Sequence, residues 1–221
     1  MTAAPVLLEL NNLTCERDER YLFVRLNAQF CEGQVVQILG PNGSGKTTLL
    51  RILAGVSRDY QGEIQWLGQA IDQVAWEFAS ELLYLGHLPG VKKSLTPLEN
   101  LRWYAALQGG VNDAQLLLAL ARVNLAGYED TPSYQLSAGQ LRRVALARLG
   151  FSKARVWILD EPFTALDKAG VAQLEKQISS HAEAGGLVLV TSHQDILFPQ
   201  LRILNLQDFA ENATQSEAAN G

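Results

Sequence analysis

Long apolar runs are missing from this chain. Nothing in it approaches the roughly 18–20 consecutive apolar residues of a bilayer-crossing helix, so the sequence predicts no membrane span of its own. The opening residues MTAAPVLLEL have no basic segment ahead of a long apolar one, a pattern that predicts no secretory leader. Cysteine is scarce: Cys15 and Cys31 stand alone, without C-x-x-C or metal-ligand spacing. They read as two reduced thiols in a cytoplasmic protein. Positive charge is not in excess either, with 18 Lys+Arg against 23 Asp+Glu and a net charge of −5, which argues against a nucleic-acid partner. No internal repeat is visible.

What is there reads as a packed globular protein. Hydrophobic residues make up 48% and charged residues 19% of 221 residues, enough for one large domain or a core domain with a satellite. Residues 22–30 (LFVRLNAQF) alternate, with Leu22, Val24, Leu26, Ala28 and Phe30 on one face, as in a half-buried antiparallel strand. GEIQWLG (62–68) alternates again, and VVQIL (35–39) is a short buried-type strand ending in glycine. The chain therefore begins as a small antiparallel sheet beside a core strand.

The middle is helical. TPLENLRWYAALQ (96–108) places Thr before Pro at a helix start, and DAQLLLALARVNLAGY (113–128) offers Asp113 as an N-cap. Both fall in a predicted helical insertion over 88–150. The last third alternates strand and helix: RVWILD, KAGVAQLEKQISSHAEA, GLVLVTSH, RILNL. The expected fold is α/β, a P-loop core sheet flanked by helices with an N-terminal antiparallel subdomain. One domain over 1–207 and a disordered tail over 208–221 are expected.

Three sites carry chemistry. GPNGSGKTT, Gly40–Pro41–Asn42–Gly43–Ser44–Gly45–Lys46–Thr47–Thr48, fits G-x-x-x-x-G-K-[ST] between a strand and a helix. Its glycines let backbone N–H groups turn inward onto phosphates, Lys46 adds a point charge, and Thr47 a hydroxyl for Mg²⁺. VWILDEP puts Asp160 at a strand's carboxyl end, where it can hold Mg²⁺ through water. Glu161 beside it can orient or deprotonate an attacking water. His193, at the exit of the strand LVLVT, is a candidate sensor of the γ-phosphate; alone it would read as a surface histidine. Asp167 suits an N-cap. The third site, LSAGQ (136–140), opens a helix, where unpaired N–H groups and the dipole favour an anion.

In the order P-loop, helical insertion, LSAGQ, LDEP, TALD, TSH, the chain resembles the ATP-binding cassette ATPases from about residue 6 to 205. That resemblance implies a head-to-tail homodimer in which Ser137, Gly139 and Gln140 of one chain close on the ATP held by Lys46 of the other. Arg142 and Arg143 would then support the helix or the subunit surface, a solvated basic face being the alternative for either. Members of the family carry an adenine-stacking aromatic before the P-loop; here Arg17 stands at about that place, with Tyr21 four residues later, and a guanidinium can stack on a ring. Members carry glutamine after the strand near residue 84, touching Mg²⁺ or water. Here His87 stands there, either in that coupling role or as a structural histidine.

CERDER, GHLPGVKKSLTPLENL, QLSAGQLRRVALARL and WILDEPFTALD together resemble the ATP-binding subunits of cytochrome c maturation systems, the heme exporter group. The resemblance implies a peripheral position on the cytoplasmic face of the inner membrane and transmembrane maturation subunits as partners. Hydrolysis would drive heme movement or release of a heme-loaded chaperone. Leu88, Leu101, Trp103 and Tyr104 are candidates for docking the membrane subunit. No residue resembles a heme ligand. A transporter ATPase for another substrate, a soluble cassette ATPase and a P-loop kinase remain as alternative classes.

Overall fold

In the computed structural model, residues 4–193, 196, 198 and 201–210 are described. Three antiparallel strands come first in space: β1 (Val6–Arg17) and β2 (Arg20–Cys31) form a long hairpin, and β4 (Gln61–Trp66) pairs with the other edge of β1. The two-residue β5 (Gln69–Ala70) closes a sheet ordered β2-β1-β4-β5. Between these in sequence lie β3 (Val35–Leu39) and α1 (Lys46–Leu53). A short helix α2 (Ala75–Ser80) leads into β6 (Leu82–Leu85).

Strict alternation in β2 fails at one point. Val24, Leu26, Ala28 and Phe30 are buried as expected, but so is Phe23, while Leu22 is only half buried. The ladder slips by bulging between Leu13↔Leu26 and Cys15↔Phe23, with Arg25 at φ 52, and the extra residue reverses the facing beyond it. Leu22 is thereby released toward the P-loop, where a Cβ on Gly45 would lie 3.0 Å from it.

The second sheet contains five parallel strands in the order β6-β7-β8-β3-β9, with β7 at Val156–Asp160, β8 at Leu187–Thr191 and β9 at Leu201–Asn205. β7 and β8 are buried at every position, as expected of a parallel sheet covered on both faces. α1 lies against one face; α6 (Lys168–Glu183), capped by the Asp167 side chain on the Gly170 N–H, lies against the other.

Helices α3 (Pro97–Leu107), α4 (Asp113–Arg122) and α5 (Ala138–Ala147) enclose their own apolar cluster of Leu98, Leu101, Leu116, Leu120 and Val144. Thr96 and Glu99 form a full capping box at the start of α3. α4 corrects two expectations. Its N-cap is Asn112, which accepts the Gln115 N–H at 3.0 Å, leaving Asp113 to pair with Arg102. It also ends at Arg122, because Asn124 turns left-handed at φ 57. Leu101 is fully buried in this cluster and therefore is no docking residue. Residues 207–210 make a helical turn whose Phe209 packs on the main core, and residues 211–221 of the expected tail lie outside the described residues.

Candidate functional site

The P-loop leaves β3 at Leu39 and enters α1 at Lys46. Gly43 and Gly45 sit at φ 81 and 95, a region costly for any residue with a side chain. Gly45 is the N-cap of α1 and gives it no side-chain partner, so the first N–H groups of the helix point into the loop unshared by a cap. A Cβ on Gly40, at φ 154, would meet the Ser44 side chain, so a larger residue there would displace Ser44 within the loop. Lys46 Nζ donates to the carbonyls of Gly40 at 2.7 Å and Pro41 at 3.1 Å, which holds the ammonium inside the curl.

A cavity of about 560 Å³ opens above this loop. Asn42, Gly43, Gly45, Lys46, Thr47 and Thr48 form its floor. Asp160, Glu161 and His193 form one wall from the carboxyl ends of β7 and β8, and His87 approaches from the segment after β6. Arg17 arrives from the β1–β2 hairpin tip, together with Asp18, Arg20 and Leu22, which the sequence reading did not single out. Tyr21 is not among the lining side chains.

The acidic wall is tightly tied. Asp160 is 1% exposed; its Oδ1 accepts the Thr191 hydroxyl at 2.7 Å, while Oδ2 is buried without a hydrogen-bond partner. Glu161 has a left-handed backbone at φ 50, its N–H donates to Thr191 Oγ1 at 2.9 Å, and its Oε1 is likewise buried without a hydrogen bond. His193 donates its backbone N–H to Glu161 Oε2 at 3.3 Å, and its Nε2 stands 3.6 Å from Oε1.

This donor set fits a nucleoside triphosphate with a hard divalent cation. Inward N–H groups and Lys46 suit phosphate oxygens. The orphaned Asp160 Oδ2 and the Thr47 hydroxyl are hard oxygen donors. Among the described residues no group of three His, Cys, Asp or Glu side chains forms a protein-only metal cage, so such a cation would need phosphate oxygens as further ligands.

Ser137, Gly139 and Gln140 are not among the residues lining this cavity. Ser137 Oγ accepts the Gln140 N–H at 3.2 Å and Gln140 Oε1 accepts the Ser137 N–H at 2.9 Å, a reciprocal capping box that presents the start of α5 on the surface. A Cβ on Gly139 would meet the Ala165 carbonyl at 3.0 Å, so the small residue also lets the TALD segment lie against α5.

The two arginines behind LSAGQ differ. Arg143 Nη2 pairs with Asp167 Oδ2 at 2.7 Å. The Gly170 N–H on its other oxygen, and Arg143 second, hold that carboxyl below its ordinary range. Arg142 is only 4% exposed, which excludes a solvated basic face for it. Its burial among backbone carbonyls was invisible in the sequence, since the acceptors come from distant segments.

Beside the cavity, a second groove of about 480 Å³ runs past Thr47, Arg51, His87, Leu88, Tyr104 and Arg148. Leu88 is 80% exposed there. Tyr104 donates its hydroxyl to the Gly90 carbonyl at 2.7 Å, under the Arg148 guanidinium 3.7 Å from its ring. Trp103 lies half exposed below the Lys92 ammonium. His87 is exposed and lines both cavities.

The family model described as ABC transporter matches residues 23–164. A cytochrome c biogenesis ATP-binding export protein CcmA of Saccharophagus degradans is 53% identical over 209 residues, covering 90% of this chain and 93% of the relative. The protein of that name from Aliivibrio fischeri is 55% identical over 190 residues, 86% of this chain and 93% of its own length. Among solved structures, a putative ABC transporter ATP-binding protein from Pyrococcus furiosus superposes with a TM-score of 0.79 at 28% identity, covering 91% of this chain and 98% of its own. The ATP-binding cassette MJ0796, a dimer in a post-hydrolysis state bound to ADP and Pi, gives 0.76 at 25% identity over 85% of this chain and 88% of its own.

Proposed function

The chain belongs to the ABC transporter family of ATP-binding proteins, and from that premise we propose that it is the ATP-hydrolysing subunit of a membrane complex for cytochrome c biogenesis. It binds ATP and is an ABC-type ATPase. The observation that carries the reading is the gathering of Lys46, Thr47, Asp160, Glu161 and His193 around one cavity, in a chain more than half identical to CcmA proteins.

Each residue has work suited to its position. The N–H groups of Gly43, Gly45, Lys46, Thr47 and Thr48 and the Lys46 ammonium hold the phosphates, Gly40, Pro41 and Ser44 shaping the loop behind them, and Arg17 covers the adenine end with its guanidinium. Thr47 and Asp160 hold Mg²⁺, with His87 at the edge of that shell; the ion, when bound, offsets phosphate charge. Glu161, desolvated and fixed by its backbone, accepts a proton from the attacking water while His193 marks the γ-phosphate. Positioning and electrostatics of this kind are what phosphoryl transfer asks of a protein.

Ser137, Gly139 and Gln140 face outward and serve a second copy: in a head-to-tail homodimer the start of α5 closes on the partner's ATP. The dimeric cassette structure of MJ0796 supports a dimer. No described helix is long and apolar enough to cross a membrane. In the proposed complex, transmembrane maturation subunits hold the chain at the cytoplasmic face of the inner membrane, a reading supported by its likeness to CcmA export proteins. Leu88, Trp103 and Tyr104 beside the second groove receive them. Heme, or a heme-loaded chaperone, is what the complex moves or releases. Affinity capture of Glu161→Gln from gently solubilised membranes with ATP and Mg²⁺, read by mass spectrometry and heme absorbance, tests the reading. Maturation subunits and a heme chaperone are expected; an unrelated permease would remove the heme assignment, and recovery from the soluble fraction alone would remove the membrane complex.

A further inference from the structure

Arg142, on α5 five residues past Ser137, is a buried cation bonded to backbone carbonyls of two distant segments. Its Nη1 donates to the Gly86 carbonyl at 2.8 Å, with the His87 carbonyl 3.5 Å away. Its Nη2 donates to the carbonyls of Asp160 and Glu161, each at 2.8 Å. One planar guanidinium thus joins three segments: α5, the exit of β6 that carries His87, and the exit of β7 that carries the acidic pair. Burial pulls this guanidinium below its ordinary range, opposed by the nearby Asp160 and Glu161 carboxylates. Desolvating a cation in this way is costly, and helix packing would be served as well by an apolar side chain.

The contact falls where the backbone needs it. Glu161 is left-handed at φ 50 without being glycine, a conformation that persists only when its surroundings over-determine it. The Glu161 N–H is tied to Thr191 and its carbonyl to Arg142, so the peptide groups on both sides of the strained residue are fixed.

We propose that Arg142 is a positioning residue for ATP hydrolysis: it locks Glu161 into its left-handed backbone and joins Glu161 to the His87 segment and to the start of α5. Arg142 touches no substrate. Resting on the proposed head-to-tail dimer, its position has a further consequence. The helix whose start grips the partner's nucleotide is bonded at Arg142 to the backbone carbonyl of Glu161, the residue whose carboxylate serves the chain's own nucleotide. Closure at one site and readiness at the other then move together.

Lysine carries the same charge but donates from a single atom and cannot span carbonyls on two segments. Full-length wild type, Arg142→Lys and Arg142→Gln are compared by equilibrium binding of labelled ATP, which counts competent molecules, and by hydrolysis per competent molecule. The expected result is ATP affinity within about threefold of wild type and kcat lowered on the order of 10–100-fold in Arg142→Gln, as misplacement of a reacting group produces, with Arg142→Lys between. In the Glu161→Gln background, Arg142→Gln should cost almost nothing more, because both act through one group. Hydrolysis per competent molecule within about twofold of wild type would overturn the proposal. So would loss of ATP binding in step with hydrolysis, or full additivity with Glu161→Gln. A wild-type chain that binds ATP without hydrolysing it, alone or with its membrane partners, would instead remove the function proposed above.

Discussion

The hydroxyl of Thr191 donates to Asp160 Oδ1 at 2.7 Å and accepts the N–H of Glu161 at 2.9 Å, so one side chain on β8 sets both acids at the end of β7. Thr191 is fully buried. Its single proton is committed to Asp160 Oδ1, which leaves Oδ2 without a hydrogen bond. Thr191→Val keeps the shape and leaves a buried acceptor and a buried donor unmet. Each such group costs about 1–3 kcal/mol, and urea unfolding should show a loss of that order. Hydrolysis should need a higher Mg²⁺ concentration to reach half its maximum, while Thr191→Ser stays near wild type in both assays. An unchanged Mg²⁺ dependence in the valine variant would detach Thr191 from the cation site.

Ser137 has two separable jobs. As N-cap it accepts the Gln140 N–H, and alanine at such a site costs about 1 kcal/mol whereas glycine costs a few tenths. In the proposed head-to-tail dimer its hydroxyl faces the partner's phosphate, a role that neither variant can fill. Ser137→Ala should therefore unfold at lower urea than Ser137→Gly, yet both should lose hydrolysis to a similar extent. If activity follows stability across the pair, capping is the residue's whole contribution.

His181 sets a pH dependence far from the nucleotide. Its ring stacks on Trp157 at 3.8 Å and 5°, near the Arg155 carbonyl, and burial pushes its pKa down to about 4 against that hydrogen bond. Below about pH 6.5 the unfolded chain binds a proton that the folded chain refuses. The contribution is thus complete above that pH and is lost as pH falls toward 4. Between pH 7.5 and 5 wild type should lose about 1–2 kcal/mol more than His181→Phe, which keeps the stack. Parallel stability curves for the two proteins would contradict this.

Leu88 projects from the loop that also carries His87, and its exposure leaves nothing within the fold for it to support. Leu88→Glu should change unfolding stability by less than about 0.5 kcal/mol, as surface substitutions do, and leave ATP binding intact. Recovery of membrane subunits by affinity capture should fall at least about tenfold, since a charge replaces an apolar contact. Full recovery would move the docking surface elsewhere.

What the sequence disclosed and what it withheld divide along the range of the contacts. The P-loop is contiguous, and its glycine spacing states the backbone conformations it needs; Gly43 and Gly45 adopt them. Thr96 with Glu99 and Asp167 with Gly170 are local caps, written within three residues. Arg142 is the opposite case. Beside Arg143 on an amphipathic helix it reads as part of a charged face, and its burial is decided by the carbonyls of Gly86, Asp160 and Glu161, to which no side-chain pattern points. Leu101 misled for a related reason: two residues from Trp103 it lies on the opposite side of α3, and only packing against α4 and α5 decides which side is inward. Arg20 and Leu22 reached the cavity through a bulge that alternation cannot foresee.

The proposed site is shared, with the start of α5 from one chain over the nucleotide of another. Sedimentation of Glu161→Gln with ATP and Mg²⁺, alongside Glu161→Gln/Ser137→Arg, measures it directly. The single variant should sediment as a dimer retaining one ATP per chain, and the double variant as an ATP-bound monomer. A monomer that holds ATP in both cases would contradict the head-to-tail arrangement and leave LSAGQ as a helix cap alone.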